Sequence, residues 1–398
     1  MTDLCIIADD LTGACDTGAA FAQHGRETHV VLDAERAADD TNAAVLVYTT
    51  ESRHLPCEQA VQAVQAVRRV PLHPQATVYK KIDSTLRGHP GAELAALMDA
   101  LGAQRALVAP AFPAQGRTIR DGRLYVGGLP LEHTPFAAEA GSGDLRVAFG
   151  GRGHVVRHIS LEEARQNSAA VAARLRDNGI FIADAETDAD LGILASAVHA
   201  SCTRLLCGSA GLARALAGQG APPVVPLQRV RRSGAVLVIA GSRHPATVRQ
   251  VEMARHAGCA VITAPAEFLT AAVSNSISFA QAAMAALNGG YDVILTTPGR
   301  ADSPLGKDTV AQRFGALAAQ VLAQSDVMAL TLTGGDIAAA VCAALGAHGL
   351  RLRSELQPGI ALGELAGGAH AGLPVVTKAG GFGDNRALAD IVAALRQS

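Results

Sequence analysis

At 398 residues with 49% hydrophobic side chains, the chain is too long for one ordinary core and has the apolar content to fill two or three. Only 3% of its residues are aromatic, none is Trp, and the formal net charge is -2, so nucleic acid is not an expected partner: there is neither a basic face nor a stacking platform. The seven cysteines are odd in number and form no Cys-x-x-Cys pair, so they read as small core residues of a reducing compartment. No leader-like start and no apolar run of about 18 residues occurs, so a soluble, cytoplasmic protein is expected, with no membrane segment.

The first apolar run, 4–8, has strand length and stops at Asp9 and Asp10, after which Thr12, Gly13 and an Ala-rich helical segment follow. In an open α/β sheet the carboxyl end of a strand opens into the ligand crevice. Adjacent acids there are costly unless a metal or cation offsets them, and Asp as a helix N-cap is the plainer use of either. Strands are predicted at 28–32, 44–48 and 76–79, with helices at 56–67 and 89–101. A strand at 105–109 leads into a polar loop through Gln115, Arg117 and Gly122. Residues 125–153 carry many Gly and Pro without a period and read as a surface excursion. A helix at 161–175, a strand at 180–183, a helix at 191–200 and a strand at 204–207 complete the first half.

Between 218 and 234 the pattern lapses into Gly-Gln-Gly-Ala-Pro-Pro and then Arg229, Arg231 and Arg232, the best linker in the chain. Beyond it strands at 235–239, 260–262, 292–295, 327–332 and 374–377 alternate with helices at 245–256, 279–287, 309–322, 337–345 and 386–395. This is an α/β chain of two domains, 1–220 and 234–398, each with a mostly parallel sheet flanked by helices.

In the first half polar residues gather at successive strand ends: Asp9 and Asp10; Ser52 and Arg53; Lys80, Lys81, Asp83, Ser84 and Arg87; Gln115 and Arg117. Loops at one sheet edge converge, so these clusters suit a single pocket. Arg and Lys bind a carboxylate or phosphate while Asp and Ser pair with hydroxyls, which together suit a small polyhydroxy acid. In the second half the candidates are glycine turns: Gly241-Ser242, Pro298-Gly299, Gly334-Gly335-Asp336 and Gly380-Gly381-Phe382-Gly383-Asp384. A glycine turn opening a helix offers free N–H groups to an anion, and four such turns along one edge point to a nucleotide. Gly306-Lys307 is not a P-loop, because Asp308 and Ala301 stand where Ser or Thr and the first glycine belong. No Gly-x-Gly-x-x-Gly follows either first strand, so a dinucleotide is not supported.

These clusters, in this order, resemble the four-carbon acid sugar kinase family. The resemblance rests on Ile7-Ala8-Asp9-Asp10-Leu11-Thr12-Gly13-Ala14, Lys80-Lys81-Ile82-Asp83-Ser84-Thr85-Leu86-Arg87-Gly88, Pro110-Ala111-Phe112-Pro113 with Gly116-Arg117, and Gly334-Gly335-Asp336 with Lys378-Ala379-Gly380-Gly381-Phe382-Gly383. It implies an N-terminal sugar-acid domain, a C-terminal nucleotide domain and an active site in the cleft between them. It also implies ATP at Ser242, Gly334 to Ile337, Gly380 and Gly381, and the acid against Asp9, Asp10, Ser52, Arg53, Lys80, Lys81, Asp83, Ser84, Arg87 and Arg117. Thr49 departs from the acid or amide expected there in many relatives.

The expected reaction is transfer from Mg-ATP to a terminal hydroxyl of threonate, erythronate or a 3-oxo-tetronate. One of Asp9, Asp10 and Asp83 accepts the hydroxyl proton, Lys80 and Arg87 hold the substrate carboxylate or the phosphoryl, and the domains close for in-line transfer. The Mg2+ ligands stay open, as does a homodimer. Two alternatives are an aspartyl-phosphate phosphatase, disfavoured because the acids are adjacent where that chemistry wants one residue between them, and a non-catalytic sensor of sugar acid or nucleotide.

Overall fold

The computed structural model describes residues 2–32, 43–70, 72–219, 233–242, 244–270, 277–298 and 305–397. The chain divides into two compact units, Met1–Val224 and Val225–Ser398. The core of the expected linker, 220–232, lies outside the described residues, as do Gly299 of the second glycine turn and Ala301.

The first unit runs β1 (Leu4–Ala8), α1 (Leu11–Ala22), β2 (Thr28–Val31), β3 (Val45–Thr49), α2 (Cys57–Gln65), β4 (Thr77–Lys81), α3 (Pro90–Leu101) and β5 (Arg105–Ala109). Next come β6 (Arg117–Arg120), β7 (Arg123–Val126), β8 (Leu129–Pro130), α4 (Leu145–Phe149), β9 (Val156–Ile159), α5 (Leu161–Gln166) and α6 (Ser168–Arg174). The unit ends with β10 (Gly179–Ala183), α7 (Asp188–Ser201), β11 (Leu205–Gly208) and α8 (Ala210–Ala217). Its sheet has the order β2-β3-β1-β4-β11-β5-β10-β9 and every pairing is parallel. β1, β2, β3 and β10 are buried at every position, which is why they read as unbroken apolar runs rather than alternating ones. Because β1 is flanked by β3 on one side and β4 on the other, the chain reverses its direction of travel across the sheet at β1, and the carboxyl ends of these strands bound the ligand crevice of such a fold.

Two expectations change here. The segment 125–153 is not a bare excursion: β6, β7 and β8 form a small antiparallel sheet, and Leu124, Leu131, Leu145 and Phe149 are buried. Strands this short, broken by the turn at Asp121 and Gly122, are too brief to show a period. That turn is pinned by Asp184 at the end of β10, whose carboxylate accepts from the Asp121 and Gly122 amides at 2.9 Å each. The helix expected at 161–175 is two helices, α5 and α6, broken at Asn167, which takes an extended backbone and caps α6 by accepting from Ala170 N at 2.8 Å.

The second unit runs β12 (Ala235–Ala240), α9 (Pro245–His256), β13 (Ala260–Thr263), α10 (Ala266–Thr270), α11 (Ile277–Asn288), β14 (Val293–Thr296), α12 (Lys307–Leu322) and β15 (Val327–Thr333). It continues with α13 (Gly335–Ala344), β16 (Gly349–Gln357), β17 (Ile360–Ala366), β18 (Pro374–Lys378) and α14 (Ala387–Gln397). Strands β13-β14-β12-β15-β18 are parallel, and β17 and then β16 extend the sheet in antiparallel fashion. The hairpin β16–β17 is absent from the sequence reading because Arg351, Arg353, Glu355 and Glu364 interrupt its apolar pattern. As in the first unit, the earliest strand, β12, lies between later neighbours, so the glycine turns after β12, β15 and β18 share one sheet edge. No described helix is long and apolar enough to cross a membrane.

Candidate active site

Three carboxylates meet on one guanidinium in the first unit. Arg53, beyond the end of β3, donates from Nε and Nη2 to the two oxygens of Asp9 at 2.8 Å each, and from Nη2 to Asp10 Oδ1 at 2.6 Å. Its Nη1 stands 3.9 Å from Asp83 Oδ2, beyond the end of β4. The cation that offsets the paired acids is therefore this arginine. Asp10 is also the N-cap of α1, accepting from Gly13 N at 2.9 Å and from the Thr12 hydroxyl at 2.6 Å. Burial favours its neutral form, but Arg53 and then Lys81 outweigh burial and hold the carboxyl below its ordinary range.

Asp83 repeats this pattern. It accepts from Arg87 Nη2 at 2.6 Å, from Thr85 N at 2.8 Å and from the Thr85 hydroxyl. Burial again opposes ionisation, and Arg87 with Arg53 outweighs it, holding Asp83 well below the usual carboxylate range. It is the local Asx turn with Thr85, rather than a helix cap, that orients this carboxylate; α3 begins only at Pro90. Asp10 and Asp83 are thus anionic at neutral pH and available as acceptors for a hydroxyl.

The two adjacent lysines of β4 separate because successive strand side chains point to opposite faces. Lys80 is wholly buried with its Nζ 3.1 Å from Glu93 Oε2 of α3, and Ser52 donates its hydroxyl to the other Glu93 oxygen. Two expected site residues are therefore engaged by Glu93. That residue went unnoticed because a glutamate in the first turn after a proline reads as a helix-dipole partner. Lys81 differs: among the described residues its ammonium makes no hydrogen bond and no ion pair, although it is buried. It lies against the first turn of α1, where a Cβ at Gly13 would stand 2.7 Å from Lys81 Nζ and 2.5 Å from Asp10 Oδ1. Gly13 has ordinary helical backbone, so it is the space, not the conformation, that requires glycine. Ser84 shares the Asp83 loop without a side-chain hydrogen bond among the described residues. Arg117, at the start of β6, donates to the Gln115 carbonyl and lies over the Phe136 ring at 5.8 Å, close enough to Asp83 and Arg87 to feel both charges.

In the second unit Gly241, Ser242, Gly334, Gly335, Asp336 and Ile337 line one cavity of about 260 Å³, with Leu269 and Val310 among its apolar walls. Gly334 has a φ of +101° and opens α13 with no side-chain cap, so the first-turn N–H groups of that helix are left for a ligand. Lys307 at the start of α12 stands 3.7 Å from Asp336 Oδ2. Gly380 and Gly381 are not in the wall of this cavity, but Gly380 packs on Ser242: a Cβ there would stand 2.3 Å from the Ser242 hydroxyl.

Residues 4–216 match the family model described as a sugar-binding N-terminal domain, and residues 237–388 match a nucleotide-binding C-terminal domain. The chain is 37% identical to a D-threonate kinase of Salmonella typhimurium over 97% of this chain and 96% of that one. It is 36% identical to a D-threonate kinase of Bordetella bronchiseptica over 98% and 97%, and 30% identical to a D-erythronate kinase of Heliobacterium modesticaldum over 97% and 95%. A crystal structure from Salmonella typhimurium LT2, 22% identical, superposes with a TM-score of 0.80 over 96% of this chain and 97% of its own; at that identity the likeness concerns the fold.

Two outcomes follow from the buried ion pairs. Glu93→Ala leaves the Lys80 charge buried without its partner and destabilises the first unit by about 3–5 kcal/mol in urea unfolding, whereas a Lys80→Met, Glu93→Leu double variant recovers most of that loss. Arg87→Met removes the first of the two arginines that hold the Asp83 pKa down, and so raises it. A depressed carboxyl contributes stability above its unfolded pKa of about 4 and loses it as pH falls, so the stability gap between wild type and Arg87→Met is full at pH 7 and narrows steadily below about pH 4.

Proposed function

The chain belongs to the four-carbon acid sugar kinase family, and from that premise we propose that it transfers the γ-phosphoryl of ATP to the terminal hydroxyl of a four-carbon sugar acid. D-threonate is the first candidate, because the relatives at 35–37% identity are D-threonate kinases while the D-erythronate and 3-oxo-tetronate kinases stand at 27–30%. The acid binds in the first unit at the carboxyl ends of β1, β3 and β4, and the nucleotide in the second unit against Ser242, Gly334, Gly335, Asp336, Ile337 and the turn at Gly380 and Gly381.

The observation that carries this reading is the unpaired Lys81 ammonium beside the N-terminus of α1. A buried ammonium that makes no hydrogen bond or ion pair among the described residues, and whose nearby acid Asp10 is already held by Arg53, Thr12 and the Gly13 amide, suits a second anion, and the substrate carboxylate supplies one. Asp10 and Asp83 then face a polyhydroxy chain as ionised acceptors. Their depressed pKa values make them weak net bases, which suits a loose phosphoryl-transfer transition state in which the hydroxyl needs orientation more than early deprotonation. Arg53 and Arg87 fix those carboxylates, and Arg87, with one face toward Glu139, is placed to offset charge on the transferring group.

Mg2+ is expected to travel with the nucleotide. Among the described residues no group of three His, Cys, Asp or Glu side chains gathers to hold a metal, so its ligands would be phosphate oxygens and water, with Asp336 the carboxylate on that cavity wall. When bound it neutralises phosphate charge. The phosphatase alternative gains nothing from the geometry, because Asp9 and Asp10 are both held by Arg53 rather than presented as nucleophiles.

The test is ATP consumption with Mg2+ against D- and L-threonate, erythronate and 3-oxo-tetronates. Turnover of D-threonate is expected, with Asp10→Asn and Asp83→Asn each lowering kcat by about 10²- to 10⁴-fold. Lys81→Met and Gly13→Ala, the latter by crowding both the Asp10 carboxylate and the Lys81 ammonium, lower kcat/KM for the acid by about 10- to 100-fold with the KM for ATP unchanged. No ATP consumption with any of these acids overturns the substrate class.

A further inference from the structure

The turn at 379–384 is held by its carbonyls. Lys378, the last residue of β18, donates from Nζ to Ala379 O at 3.0 Å, Gly380 O at 3.4 Å and Phe382 O at 2.9 Å. Gln250 of α9 donates from Nε2 to Phe382 O at 3.0 Å, Gly383 O at 3.1 Å and Asp384 O at 2.8 Å. Thr247, one helical turn earlier, donates its hydroxyl to Gly380 O at 2.8 Å. Three buried side chains thus take the carbonyls of residues 379, 380, 382, 383 and 384.

The consequence follows from the peptide plane. In a trans peptide the N–H points opposite to the C=O, so drawing the Ala379 and Gly380 carbonyls toward Lys378 and Thr247 turns the Gly380 and Gly381 N–H groups the other way. Neither of these N–H groups donates to any described residue. Gly380 also abuts Ser242, which lines the cavity of the second unit.

The charge points the same way. Lys378 is wholly buried and has no ion pair among the described residues. Burial alone draws its pKa down to about 7, the mark of a cation that the protein does not itself neutralise. An anion bound on the far side of the turn would offset that charge.

We infer that Lys378, acting with Thr247 and Gln250, is a positioning residue for the phosphate groups of the nucleotide: it fixes the 379–384 turn so that the Gly380 and Gly381 N–H groups receive a phosphate. The side chain itself stays beneath the turn and touches no ligand. This rests on the reading that the second unit binds nucleotide, and deepens it.

The test separates phosphate from base. Affinities of the full chain for adenosine and for ADP are measured by calorimetry in wild type, Lys378→Met and Thr247→Val. Lys378→Met is expected to weaken ADP by about 10- to 100-fold while adenosine changes less than about twofold, and Thr247→Val to do the same to a smaller degree. A merely structural clamp weakens both ligands together or neither, and either result overturns the inference. If Lys378→Met does not fold, Thr247→Val decides alone by the same criterion. Wild type that binds neither adenosine nor ADP overturns the nucleotide reading and this inference with it, whereas wild type that binds ADP no better than the variants overturns the inference alone.

Discussion

Asp9, Asp10 and Asp83 leave two neighbouring strands, and the Arg53 guanidinium from a third holds them together. All three acids are buried, and Asp10 and Asp83 would be driven toward their neutral forms without the arginines beside them, Arg53 for Asp10 and Arg87 with Arg53 for Asp83. With these arginines in place the Asp10 and Asp83 carboxylates stay ionised, fixed in direction and able to accept from a hydroxyl. The rest of the first unit is arranged to keep that cluster intact: Thr12 and the Gly13 amide hold Asp10, Thr85 and Arg87 hold Asp83, and the parallel register of β3, β1 and β4 sets the three loops side by side.

On the proposed reading the two units would meet anions by different means. The first uses formal charge, with Lys81 held ready at a helix N-terminus among carboxylates already paired. The second would use backbone, with glycine turns and the start of α13 presenting N–H groups and the buried Lys378 ammonium kept behind a turn. A short carboxylate on a flexible polyol needs a few directed charges, whereas a polyphosphate is satisfied by several peptide dipoles along one edge. In both units the critical glycines are there because a side chain occupies the place of their Cβ: Lys81 and Asp10 at Gly13, Ser242 at Gly380.

Much of the architecture was legible in the chain. Strands buried on both faces leave unbroken apolar runs, and parallel strands need helical crossovers, so their alternation and the polar strand ends announced themselves. Antiparallel pieces were harder to see. The β16–β17 hairpin is partly exposed and laced with charge, and the β6–β7–β8 sheet is made of strands of two to four residues, so neither leaves a period long enough to read.

By itself the sequence determined which residue types stand at each strand end, and hence a cluster of acids and bases in one unit and glycine turns in the other. Only the tertiary structure decided their partners. Lys80 and Lys81 are equivalent neighbours in sequence, yet the pleat of β4 sends one onto Glu93 of α3 and leaves the other beside Gly13 of α1. Likewise Lys378 reads as the polar end of a strand until α9 packs Thr247 and Gln250 against the same carbonyls. An ion pair or a hydrogen bond depends on the approach of a second element, and that distance is set by packing of the whole sheet with its helices, which no local pattern of residues encodes.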